Sequence, residues 1–181
     1  MVTIKYAGEE IQLRNEAKEV RLSEFNKIHN ILSTDKAGHF EKYTEVFKVL
    51  GVSEDVIDDM SIEQFIELVK MFNDISQTKE NPVQSFEIDG YIYTAYKGEE
   101  FKFTAKDLVM LERGFKQGVG SIPAFVLAVV FKREDLTKKE HFDPTHINHK
   151  AKLFSEHLYM DVALPYLGLV SQRVIKQAEN A

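Results

Sequence analysis

Apolar positions along the chain change their period from segment to segment, and the period names the element. In "TIKYAGEEIQLR" they alternate around Gly8, with Ile4, Tyr6, Ile11 and Leu13 on one side, which predicts two short strands and a turn. From "LSEFNKIHNIL" onward the spacing is helical: Leu22, Phe25, Ile28, Ile31 and Leu32 form one face. Phe40, Tyr43, Val46, Phe47 and Leu50 form the next, stopping at Gly51, the residue type favoured just past a helix end. "SEDVIDDM" predicts a short helix with an acidic first turn after Ser53. A longer helix follows, N-capped by Ser61, with Ile62, Phe65, Ile66, Val69 and Phe72 expected to face inward.

Polar "SQTKENPVQS" (76–85) interrupts this pattern, and alternation then resumes in "SFEIDGYIYTAYKGEEFKFT" with turn signals at Asp89-Gly90 and Lys97-Gly98. A hairpin, extensible to three strands, is expected there. Thr104 and Asp107 have capping-box spacing ahead of a helix faced by Leu108, Leu111 and Phe115. The run "IPAFVLAVVF" (122–131) reads as a buried helix, since its ten residues are about half of the roughly 20 that cross a bilayer.

"YAGEEIQL" (6–13) returns as "YKGEEFKF" 90 positions later. Each half then reads as a hairpin followed by about three helices. The expected fold is therefore α+β, predominantly helical, with two tandem related units from an internal duplication: residues 1–75, a linker at 76–85, and residues 86–181. Leu22 and Phe25 match Leu108 and Leu111 at an offset of 86, but "MSIEQFIELV" matches "MDVALPYLGLV" at 100. The growth in offset places an inserted polar loop near 132–152.

Composition narrows the chemistry. Cysteine is absent, which removes disulfides, thiol catalysis and thiolate metal sites. With 29 acids against 23 bases the formal charge is −6, so the whole-chain field repels nucleic acid. The first ten residues lack the basic and apolar regions of a secretory leader, and none is expected.

The insertion is the exception to the acidic balance. Lys132, Arg133, Lys138, Lys139, Lys150 and Lys152 outnumber its four acids, which makes those six the candidate partner-binding residues and the only local opening for nucleic acid. It also holds His141, Asp143, His146 and His149. Imidazoles with a carboxylate suit zinc or iron, so a metal-dependent hydrolase is the alternative reading, although no H-E-x-x-H spacing occurs. Glu54, Asp55, Asp58 and Asp59 lack both a pocket and calcium-loop spacing. Gly114, Gly118 and Gly120 match neither a P-loop nor a dinucleotide fingerprint and suggest a bend. No cofactor is expected.

The succession "IKYAGEEIQL", "RLSEFNKIHNIL", "FKVLGVSEDVIDDMSIEQFIELVKMF" and again "FEIDGYIYTAYKGEEFKFTAKDLVMLE" resembles small structural and assembly proteins of tailed bacteriophages. Tail assembly chaperone-like proteins and small virion or cargo proteins of crAss-like phages are the nearest types. The resemblance implies a non-enzymatic role in the virion or the host cytoplasm, other phage structural proteins as partners with homo-oligomers also open, and no membrane. The chaperone form would be absent from the mature particle.

Overall fold

The computed structural model describes residues 2–6, 9–14, 16–34, 37–75, 82–95, 104–116 and 122–178; side chains of 2–13, 74–75, 115, 138–139 and 171–178 lie outside the description. The fold is α+β and predominantly helical. β1 (Val2–Tyr6) and β2 (Glu9–Leu13) pair antiparallel, with Ile4 opposite Ile11. A 3₁₀ turn at Ala17–Glu19 leads into α1 (Leu22–Leu32), α2 (His39–Val49), α3 (Glu54–Asp58) and α4 (Ile62–Ile75). β3 (Ser85–Ile88) and β4 (Tyr91–Thr94) form the second hairpin, followed by α5 (Ala105–Lys116) and α6 (Ile122–Val130). β5 (Lys132–Arg133), α7 (Lys138–His141), α8 (Pro144–His157) and α9 (Met160–Ala178) complete the described chain.

Local chemistry accounts for the boundaries. At the end of α2, Gly51 adopts φ 99°, its N–H reaches Lys48 O at 3.1 Å, and Val52 N–H reaches Phe47 O at 3.0 Å. That pair of bonds is the Schellman closure, and it needs a residue that tolerates positive φ. Ser61 caps α4 through reciprocal bonds with Gln64, at 2.9 and 3.3 Å. Thr104 and Asp107 do the same for α5, at 2.8 and 3.2 Å. Asp89 and Gly90, at φ 52° and 77°, make the two-residue turn between β3 and β4.

At the centre lies α6, with every residue from Pro123 to Val130 buried and Phe131 buried after it. Such a helix needs cover on all sides. It receives it from α5, α8, α9 and α1. Gly114 on α5 seats the Phe125 ring so closely that a Cβ there would fall inside it. This glycine is therefore a packing contact within a helix, not part of a bend; Gly118 and Gly120 lie outside the described residues. The second sheet covers the assembly through rings: Phe86 lies 4.6 Å from Phe131 and 5.2 Å from Phe154, and Tyr93 lies 5.0 Å from Phe154.

The tandem-unit expectation is not shown by this architecture. The second copy of the echo, 96–103, lies outside the described residues, and the second hairpin sits on 85–94 instead. A third strand does join it, but it is β5, drawn from the 132–152 segment, with Tyr93 opposite Arg133 and Thr94 opposite Lys132. Nor do the proposed halves have separate interiors. Leu22 N–H donates to Leu158 O and Met160 N–H to Val20 O, both at 2.9 Å, and α1 rests on α8 and α9. The core is continuous across the polar 76–85 stretch.

Candidate functional site

The segment 132–152 is not a surface loop. Asp143 accepts from Thr145 N–H at 2.8 Å and His146 N–H at 3.1 Å, and Pro144 occupies the first turn, where its missing donor costs nothing. The sequence "DPTH" thereby starts α8, whose Ile147, Ala151 and Phe154 are buried, with α6 as its main neighbour.

This packing divides the six cations proposed as one contact surface. Arg133 is held by Asp135 at 2.6 and 3.1 Å and lies 4.1 Å from the Tyr91 ring centre. Lys132 stands 3.6 Å from the buried Asp107 carboxyl and 4.8 Å from the Phe142 ring centre. Lys150 is 2% exposed and cannot meet a partner. Lys152 is exposed, and the side chains of Lys138 and Lys139 lie outside the described residues. The expected basic patch must therefore be corrected at Lys150, because α8 turns that side chain inward.

Lys150 occupies a structural position that its polar sequence neighbours conceal. Its Nζ donates to Phe131 O at 2.7 Å, just beyond the end of α6, where carbonyls lack helical partners. Burial, with Lys132 and Arg133 adding repulsion, pushes this amine down to about 7. The signal was available: Lys150 lies three residues after Ile147 and four before Phe154, on the buried face of α8.

The four suggested metal ligands do not form a set. Asp143 serves as the cap, and His149 is exposed. Among the described residues no three His, Asp or Glu side chains come together as a metal site. His141 is buried, and desolvation followed by Lys150 and Lys132 pushes it down to about 4. Desolvation also lowers His146, with Lys150 next. His141 Nδ1 and His146 Nε2 are buried without a hydrogen-bond partner among the described residues. At neutral pH His141 is thus an uncharged packing group beside the helix-capping lysine.

A different surface emerges where the structure departs from the helical periodicities. Phe40, Ile62 and Ile66, all expected to face inward, are 56%, 57% and 44% exposed. They lie together. α2 and α4 join through Phe47 and Phe65, whose ring centres are 5.3 Å apart, and through Tyr43 and Phe72 at 6.3 Å. Above that seam His39, Phe40, Tyr43, Phe65, Ile66, Val69 and Lys70 line a groove of about 210 Å³. Its lining surface is apolar, although His39, Tyr43 and Lys70 contribute their side chains to it. Single exposed apolar residues are ordinary, but here Phe40 and Ile66 line one apolar groove and exposed Ile62 lies one turn before Ile66 on α4.

These features define a predominantly helical α+β protein with an open apolar groove and a buried polar cluster. No protein family, curated protein or solved structure matches the chain. Among the described residues, no helix is long and apolar enough to cross a membrane.

Proposed function

We propose that this protein acts by contact with other proteins, as a structural or assembly component of a bacteriophage particle. The observation carrying the contact reading is the α2–α4 groove, where Phe40 and Ile66, with Ile62 one turn before Ile66 on α4, leave apolar area uncovered that burial in an interface would stabilise by about 25 cal/mol per Å². The phage assignment comes from the sequence resemblance, and locates the protein in the virion or in host cytoplasm during assembly. A tail assembly chaperone would use the same groove and leave before maturation.

The test is a phage population carrying Phe40→Ala with Ile66→Asp. Both side chains are exposed, so circular dichroism and melting temperature should remain close to wild type. A virion component should fall at least tenfold in purified particles; a chaperone should be missing from wild-type particles and its variant should fail to co-purify with assembly intermediates. Normal incorporation and infectivity of the variant would remove the groove from the mechanism.

A further inference from the structure

We infer that the occupant of the α2–α4 groove is a second copy of this chain, with the two α4 helices packed antiparallel about a dyad at Ile66. The inference rests on the contact reading above and names its partner. Its ground is the charge pattern beside the apolar stripe. Ile62, Ile66 and Val69 follow one another at four and three residues, so they form a stripe along two turns of α4. Glu63 and Lys70, seven residues apart and both exposed, run along one flank of it.

An isologous interface presents the same patch twice, and every residue must tolerate its dyad-related neighbour. In an antiparallel pair centred on Ile66, position 70 falls opposite 62 and position 69 opposite 63. Lys70 of each copy therefore meets the Ile62–Glu63 turn of the other, giving two equivalent opposite-charge pairs around an apolar centre. A parallel pairing, whose dyad runs along the helices, would send this flank of the two copies to opposite sides of the seam and leave Glu63 and Lys70 without each other. Phe40 and Tyr43, along the other side of the stripe, extend the apolar area that the second copy covers. Glu67, farther round the helix, lies toward the rim, where charges contribute least.

Sedimentation velocity of the full chain across a concentration series tests this arrangement. Wild type should approach twice 20.9 kDa as concentration rises. Ile66→Asp should remain at the monomer mass. Lys70→Glu and Glu63→Lys should each weaken the dissociation constant at least tenfold, and the double exchange should restore most of it. A monomeric wild type at several hundred micromolar, or a dimer indifferent to Ile66→Asp, would overturn the inference. Failure of the double exchange to restore association would overturn the antiparallel register. If wild type is monomeric while the groove variant is still lost from particles, the second-copy assignment falls and the contact function stands.

Discussion

Gly114 and Lys150 show how much depends on what a residue faces. Replacing Gly114 with Ala would improve intrinsic helix propensity by about 1 kcal/mol, yet the new methyl must displace the buried Phe125 ring. Overpacking of this kind costs about 1–3 kcal/mol, so a net loss of stability is expected, read as a lower urea midpoint with unchanged slope. A midpoint equal to or above wild type would show that α5 and α6 can separate without penalty. For Lys150 the expected signature is a pH profile. Its amine titrates near 7 in the folded chain and about 10.5 when unfolded, so the unfolded state binds more protons between those values. Stability attributable to Lys150 should therefore rise with pH across that window. The penalty is absent above it and complete below it. Lys150→Met should flatten this rise in thermal melts between pH 7 and 10; parallel profiles would contradict the assignment. His141 contributes a separate acid limb in the same direction, between about 4 and 6.5. Neither role was legible from residue type, since "HINHKAK" reads as polar until the phase of α8 is set by Ile147, Ala151 and Phe154.

At the level of elements, much of the chain can be read from periodicity and caps. Leu22 and Ile28 on α1, and Val46 and Phe47 on α2, are buried as their spacing predicts, and the Ser61 and Thr104 caps form. These features depend on neighbours within a turn or two. What escapes such reading is long-range satisfaction. Arg14 donates to Val49 O at 2.8 Å and Leu50 O at 3.3 Å while pairing with Glu24 at 2.7 Å, so one guanidinium ties the end of α2 to α1. No local pattern announces this contact. β5 is equally hidden, because two residues define no period and its pairing with β4 spans some 40 positions. Periodicity placed Phe40, Ile62 and Ile66 facing inward, yet all three are exposed, because spacing finds the apolar positions of a helix and not the neighbours that cover them.

For the molecule as a whole, the repeated Tyr-x-Gly-Glu-Glu suggested two units, whereas packing runs through both. The first residue of α1 and Val20 just before it are hydrogen-bonded to Leu158 and Met160, which belong to the chain beyond the polar 76–85 stretch. Residues 1–75 expressed alone should therefore lack a cooperative thermal transition, and mixing them with residues 82–181 should recover helical circular dichroism beyond the sum of the parts. Cooperative unfolding of the isolated first segment would restore the two-unit view. The order in which the core is completed has one more effect, during translation. α6 is made before α8 and α9, two of the helices that cover it. At about 5–20 residues per second, the roughly 50 residues from its end to the end of α9 take about 2–10 s to synthesise. For that interval the most apolar of the described helices is without its later partners, so polysome-bound chains carry an aggregation hazard that the finished fold does not. Slowing the codons between α6 and α8 would prolong that exposure and lower soluble yield without changing a single amino acid.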